Sequence, residues 1–136
     1  MWLMTQDPEA IVRGAYDAFG RGDIPAVLDL MDPDVEWVES DAEAIPARGT
    51  HIGPENVARN VFATVPQNWA QFAIVPEDFF ADGPTVFVRG RVRAVAKDSG
   101  RSMDAPFVHV FTIADGKIRR LTNHHDTAVW VETLGR

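Results

Sequence analysis

The first third of the chain has apolar residues at helical spacing. Asp7-Pro8-Glu9 predicts a helix start, because it combines a capping carboxylate, a proline suited to the first turn and an acidic residue that favours the helix dipole. This helix should end at Gly20-Arg21-Gly22. Asp23 caps a short second helix that Asp32-Pro33-Asp34 should end. The apolar face of the first helix consists of Ile11, Val12, Ala15, Tyr16 and Phe19.

The next segment contains a first strand and a third helix. Val35–Glu39 has strand composition, whereas residues 40–52 contain Pro46 and Gly49 and are predicted to be a loop. A third helix should begin at Gly53-Pro54-Glu55 and end at Pro66. Its apolar face consists of Val57, Ala58, Val61, Phe62 and Val65.

The second half of the chain predicts long strands separated by turns. Asp82-Gly83-Pro84, Lys97-Asp98-Ser99-Gly100 and Asp115-Gly116 are turn sequences. Three helices followed by a strand meander indicate an α+β fold, in which the helices cover the concave face of a curved antiparallel sheet. The predicted strands are 72–80, 85–96, 102–113 and 118–125, and a short helix over 126–134 follows them.

Composition and charge narrow the possible functions. The chain has 136 residues, which is enough for one domain, and a net charge of −7, which argues against nucleic-acid and anionic-membrane partners. It contains no cysteine, so disulfides, thiolate catalysis and cysteine-ligated metals are excluded. The start, Met1 to Asp7, lacks the basic region and long apolar run of a secretory signal, so we expect a cytoplasmic protein.

Strand alternation selects candidate site residues. Met103, Ala105, Phe107, His109 and Phe111 share one face of a predicted strand, and a histidine among large apolar neighbours is either a bonded core residue or a functional group. Leu121, Asn123 and His125 share a face of the last strand, so the adjacent His124 points the other way.

Other polar residues have plainer interpretations. Asp126 is expected to cap the terminal helix, and His51 is expected to be a solvated loop residue. Arg89, Arg91 and Arg93 share a strand face that we expect to be solvent-facing or to form a dimer contact. The histidines lack metal-ligand spacing, so no metal site is predicted.

Segments spread along the chain carry a family resemblance. They are Tyr16…Gly22-Asp23-Ile24, Asp32 to Trp37, Gly49 to Glu55, Ala81-Asp82-Gly83, Asp104 to Phe111, Asp115 to Ile118, and Asp126-Thr127. Together they resemble the nuclear transport factor 2 superfamily, and within it the ketosteroid-isomerase-like and SnoaL-like polyketide cyclase proteins. The resemblance implies a cone-shaped, cystatin-like α+β roll that takes in residues 1–136 as a single domain. It also implies a homodimer.

The resemblance assigns roles to individual side chains. Glu39 falls at the general-base aspartate of ketosteroid isomerases, and Tyr16 matches their oxyanion-hole tyrosine. With one extra residue allowed in the hairpin, His109 stands where those enzymes have a protonated aspartic acid. Because that aspartic acid is missing, the resemblance does not assign steroid isomerisation to this chain, and a histidine can still donate a hydrogen bond to a carbonyl. The residues expected to shape the pocket are Trp37, Phe62, Phe107, Phe111, Asn123 and His125.

These observations predict a cofactor-independent enzyme. Its partner would be a small, apolar, carbonyl-containing molecule, and the reaction would be proton abstraction next to the carbonyl followed by isomerisation, cyclisation or dehydration. Two alternatives stay open. One is a non-catalytic ligand-binding module of the same fold, and the other is an epoxide hydrolase or a related dehydratase.

Overall fold

A computed structural model describes residues 7–136, so most of the N-terminal segment considered above, Met1 to Gln6, lies outside the described residues. A curved, open sheet of six strands forms the framework, in the order β2-β1-β6-β5-β4-β3. The strands are β1 (Met31–Val38), β2 (Thr50–Ile52), β3 (Trp69–Asp82), β4 (Thr85–Ala96), β5 (Ser102–Ala114) and β6 (Lys117–His125).

Helices precede and follow the long strands. They are α1 (Pro8–Gly20), α2 (Ile24–Asp29), α3 (Pro54–Val57), a π-helical turn (Ala58–Phe62), α4 (Thr64–Asn68) and α5 (Thr127–Leu134). The carboxylates of Asp7, Asp23 and Asp126 cap α1, α2 and α5 by accepting backbone N–H bonds. The predicted α+β fold is confirmed, and no helix among residues 7–136 is long and apolar enough to cross a bilayer.

One strand pairing differs from the antiparallel expectation. β1 runs parallel to β6, while the other four pairings are antiparallel. A parallel pairing needs a long connection, and here most of the chain lies between the two strands. The hairpin signals of the sequence concern only neighbouring strands, so they carried no information about this pair.

Among the predicted boundaries that are wrong, two involve prolines. Asp32-Pro33-Asp34 belongs to β1 rather than to a break before it, because the register with β6 shifts between Met31 and Glu36. Such an irregularity tolerates a proline that has no N–H to donate. The third helical stretch continues past Pro66 to Asn68, since Pro66 lies in the first turn of α4, where its N–H would have no helical partner.

The loop between β1 and β2 closes over the sheet. The N–H of Glu39 donates to the carbonyl of Gly49 (2.9 Å), and the N–H of Gly49 donates to the carbonyl of Ser40 (3.0 Å). Ile45, at the middle of the loop, is buried in the core. The loop therefore holds Glu39 at its base and covers one end of the interior.

Candidate functional site

A cavity of about 100 Å³ lies between the concave face of the sheet, the helices and the β1–β2 loop. Its wall is largely aromatic and aliphatic, with a few polar side chains from different elements. The polar members are Tyr16 from α1, Glu39 after β1, Thr64 from α4, His109 from β5 and Asn123 from β6. An apolar pocket with a few convergent polar groups is the usual form of a small-molecule site.

Glu39 is a buried carboxylate held by two donors. Trp37 Nε1–H donates to Oε2 (2.6 Å), and the Asn123 side-chain amide donates to Oε1 (3.0 Å). Trp37 and Glu39 face the same way because they are two positions apart in extended chain. Burial raises the pKa of Glu39 to about 7, and the two hydrogen bonds oppose that shift. The carboxylate therefore changes charge near neutral pH.

Tyr16 and His109 form a hydrogen-bonded pair of polar side chains in the cavity, in addition to Glu39. The Tyr16 hydroxyl and Nδ1 of His109 share a hydrogen bond of 2.5 Å, and either tautomer of the histidine can form it. Burial raises the pKa of Tyr16 far above its ordinary value and lowers the pKa of His109 to about 3. Both groups are therefore neutral at pH 7, and the pair has one N–H or O–H left to donate to a bound molecule.

Asn123 lies between Glu39 and the Tyr16–His109 pair. It is the cross-strand partner of His109 in the β5–β6 ladder, and its amide N–H bonds Glu39. Its side chain also lies near the His109 ring and raises the pKa of that histidine against the effect of burial. This contact falls short of full hydrogen-bond geometry, since Oδ1 of Asn123 has no hydrogen-bond partner among residues 7–136.

Seven of the nine residues singled out from the sequence line the cavity. Phe107 and His125 do not. Phe107 lies behind the wall, stacked on His109 with ring centroids 4.1 Å apart. His125 lies against Trp130, with centroids 4.4 Å apart. The lining members are Tyr16, Trp37, Glu39, Phe62, His109, Phe111 and Asn123.

His125 is an unusual buried histidine. Its Nε2 lies 4.0 Å from Oε1 of Glu39, and neither ring nitrogen has a hydrogen-bond partner within the described chain. Burial lowers the pKa of His125 to about 4, so its ring is neutral beside Glu39 at neutral pH.

The remaining polar residues lie away from the cavity. His124 is exposed, and Asp126 caps α5 as expected. His51 lies in β2, not in a loop, where Nε2 is 2.8 Å from the carbonyl oxygen of Ala47. On the outer face of β4, Arg89 pairs with Asp78, while Arg91 and Arg93 pair with Asp104. Within residues 7–136, no group of three or more histidine and carboxylate side chains is arranged to hold a metal ion.

The sequence analysis missed several residues that line the cavity. They include Trp130, which meets Trp69 and Phe72 edge-on, and Ile45-Pro46-Ala47 of the β1–β2 loop; Trp69 and Phe72 also line the cavity. The large aromatic residues near strand and helix ends could have predicted that part of the cavity wall. Nothing in the loop sequence predicts that Ile45-Pro46-Ala47 face inward, because proline and alanine in a loop have no periodic pattern.

Comparison with known families identifies the chain. The SnoaL-like domain family matches residues 12–121. The protein belongs to the SnoaL-like domain family. Among solved structures, this SnoaL-like chain is similar to an NTF2-like protein of unknown function from Burkholderia pseudomallei K96243. The two are 32% identical, with a TM-score of 0.88 over 95% of this chain and 98% of the other.

Two further relatives extend the comparison. TerC, co-crystallised with polyporic acid, is 28% identical to the SnoaL-like chain, with a TM-score of 0.86 over 95% of this chain and 98% of TerC. An uncharacterised protein of Mycobacterium tuberculosis (strain H37Rv) is 28% identical over 125 residues, which are 90% of this chain and 92% of the relative.

Proposed function

We propose that this SnoaL-like protein is an enzyme that moves a proton at a carbon next to a carbonyl group in a small apolar substrate. The observation that carries the proposal is a buried carboxylate whose pKa is about 7, in the same cavity as a neutral Tyr16–His109 pair. A general base works best when its pKa lies near the working pH. Glu39 meets this condition because of burial.

The proposed first step is proton abstraction by Glu39. The proton passes from the substrate carbon to the carboxylate, and the electron pair of the broken C–H bond moves into the carbonyl to form an enolate. The hydrogen left on the Tyr16–His109 pair donates to the developing oxyanion. In isomerisation the proton on Glu39 returns to a different carbon of the enolate, and in dehydration it goes to a hydroxyl that leaves from the β-carbon. In cyclisation the enolate carbon adds to a second carbonyl of the same substrate, and the proton goes to the alkoxide oxygen formed there.

The cavity favours a flat, largely apolar substrate. Its walls are formed by aromatic and aliphatic side chains, and its volume of about 100 Å³ suits a body of roughly one ring. The relative TerC was co-crystallised with polyporic acid, which supports a small-molecule ligand for this fold. Substrate selection would follow from the aromatic walls.

The test is hydrogen–deuterium exchange into a panel of cyclic and aryl ketones in D₂O. We expect catalysed exchange by the wild type and a loss of about 10²–10⁴-fold in Glu39→Gln. Glu36→Gln is the matched control, because Glu36 lies on β1 three residues before Glu39 but pairs with Arg120 at the surface, and it should keep the wild-type rate. Ketone binding without exchange would reject the enzyme and support a binding module. Hydrolysis of epoxides without ketone exchange would support the epoxide hydrolase instead.

A further inference from the structure

Three residues beside Glu39 carry buried polar atoms that have no hydrogen-bond partner within the protein. Among residues 7–136, these atoms are Oδ1 of Asn123, both ring nitrogens of His125 and Nε1 of Trp130. Folded proteins leave few such atoms, because each unpaired buried donor or acceptor is costly. Their concentration in three residues therefore points to a polar group that binds among them.

The three residues lie next to one another and close to the proposed base. Asn123 and His125 are two positions apart on the same face of β6, and the His125 ring packs against Trp130 with centroids 4.4 Å apart. Oε1 of Glu39 lies 3.0 Å from Nδ2 of Asn123 and 4.0 Å from Nε2 of His125. Glu39, Asn123 and Trp130 line the cavity, while His125 lies behind the wall that they form.

The donors and acceptors of these atoms select the chemistry of the group. Nε1–H of Trp130 only donates, Oδ1 of Asn123 only accepts, and a neutral imidazole has one donor and one acceptor. His125 is neutral at pH 7, because burial lowers its pKa to about 4. A hydroxyl both donates and accepts, whereas a ketone or a carboxylate only accepts and an ammonium only donates. A carboxylate would in addition be repelled by ionised Glu39.

We propose that Asn123, His125 and Trp130 form a hydroxyl-binding subsite beside Glu39, and that the substrate is a ketone of about one ring that also carries a hydroxyl group. The inference deepens the proposed function and rests on it for the ketone. An oxygen about 2.8 Å from each atom can span the 4.0 Å between Nε2 of His125 and Oε1 of Glu39. Because the unpartnered atoms are buried, binding requires small rotations of these side chains, which are common when ligands bind.

The subsite does not compete with the proposed oxyanion donor. The ketone oxygen uses the hydrogen of the Tyr16–His109 pair, whereas the hydroxyl uses atoms of β6 and α5 that have no other partner among the described residues. A site whose buried polar atoms are paired only by a substrate hydroxyl discriminates against an analogue that lacks it. The hydroxyl therefore gives a selectivity that the apolar walls do not.

The experiment compares dissociation constants at pH 7 from NMR chemical-shift titrations of the whole protein. The probes are acetophenone, its 3′- and 4′-hydroxy derivatives, and 3- and 4-acetylbenzoate. We expect at least one hydroxyacetophenone to bind about tenfold more tightly than acetophenone. Trp130→Phe removes the N–H and keeps an aromatic ring, and His125→Phe removes both ring nitrogens. Each variant should reduce this preference at least about threefold.

The matched control is Trp69→Phe. Trp69 lines the same cavity and meets Trp130 edge-on with centroids 5.3 Å apart, but its N–H is not one of the unpartnered buried atoms. This change should alter the affinities for acetophenone and the hydroxyacetophenones by the same factor, so their ratio should stay within about twofold of the wild type. If Trp130→Phe does not unfold cooperatively in urea, His125→Phe carries the test.

Three results would overturn the subsite. They are a wild-type preference below about threefold for both hydroxyacetophenones, an unchanged preference in both Trp130→Phe and His125→Phe, and tighter binding of an acetylbenzoate than of either hydroxyacetophenone. The titration needs no turnover, so it is independent of the proposed function. A hydroxyl preference without ketone exchange would reject only the enzyme, and ketone exchange without a hydroxyl preference would reject only the subsite.

Discussion

The hydroxyl of Tyr16 lies 2.5 Å from Nδ1 of His109, although the residues are 93 positions apart in the sequence. The two rings are nearly parallel, with planes 8° apart and centroids separated by 5.8 Å. This pair joins α1 to β5 across the cavity and is uncharged at neutral pH, because burial disfavours both the phenolate and the imidazolium. It offers a donor to a ligand without a fixed charge.

Removing the Tyr16 hydroxyl tests this donor. Tyr16→Phe keeps the ring and its edge contact with Phe111, but it leaves Nδ1 of His109 without its partner. We expect ketone exchange to fall about 10²–10³-fold and the free energy of unfolding to fall by about 1–3 kcal/mol. Exchange kinetics and urea unfolding measure the two effects.

The matched control for Tyr16 is Phe79→Leu. Phe79 contacts the Tyr16 ring edge-on but does not line the cavity, so this change alters packing and keeps the hydroxyl. We expect its exchange rate to stay within about threefold of wild type. An unchanged rate in Tyr16→Phe would remove the tyrosine from the oxyanion site.

The buried histidines should make the protein sensitive to acid. Mainly because of burial, the pKa of His109 falls from 6.5 to about 3 and that of His125 to about 4. The unfolded chain therefore binds protons at these sites while the folded chain does not, so the free energy of unfolding decreases as the pH is lowered from 6.5 towards 4. His125→Phe keeps a ring against Trp130 and should be more stable than wild type at pH 4.5. An identical pH dependence of urea unfolding in wild type and variant would contradict this account.

Glu39 should act in the opposite direction. Its folded pKa of about 7 lies above its ordinary value of 4.5, so its penalty on stability is absent below pH 4.5, grows between 4.5 and 7, and is complete above 7. Glu39→Gln should therefore gain about 3 kcal/mol relative to wild type between pH 4.5 and pH 8. Urea unfolding at the two values measures this gain. A gain of the same size in the surface control Glu36→Gln would refute the burial explanation.

Gly90 keeps space behind His109. A Cβ at this position would meet the carbonyl oxygen of Val75 and lie 2.8 Å from the Phe107 ring, which stacks on His109. Because the Val75 contact involves backbone, Gly90→Ala should lower the free energy of unfolding by about 1–3 kcal/mol and reduce ketone exchange. Gly20→Ala, with no atom within 4 Å of the added carbon, is the control in thermal unfolding. Equal stability of the two variants would show that both the Val75 backbone and the Phe107 ring can move away from the added carbon.

Local patterns predicted the parts of the site that lie on regular strands. Alternation placed Phe107, His109 and Phe111 on one buried face of β5, and the structure buries all three. The same rule accounts for Trp37 and Glu39, which are two positions apart and are bonded. Each of these inferences depends on residues two positions apart, where extended backbone fixes the side-chain direction.

Features built from distant segments could not be read in this way. The parallel β1–β6 pairing, the Trp69–Trp130 contact and the inward position of Ile45 join residues that share no local periodicity. His125 shares its strand face with Asn123, but Trp130 on the following helix packs against it and keeps it out of the cavity wall. Strand alternation predicts the face of the sheet on which a side chain lies. It does not predict which residues from distant segments pack against that side chain.

The pH dependence of ketone exchange tests the central claim most directly. If Glu39 is the base, the exchange rate should rise with pH to a plateau with a midpoint near 7, and this rise should disappear in Glu39→Gln. A wild-type pH profile in Glu36→Gln would show that the rise comes from the buried carboxylate of Glu39 and not from a surface carboxylate. A rise with its midpoint near 4.5, or an unchanged profile in Glu39→Gln, would contradict the account.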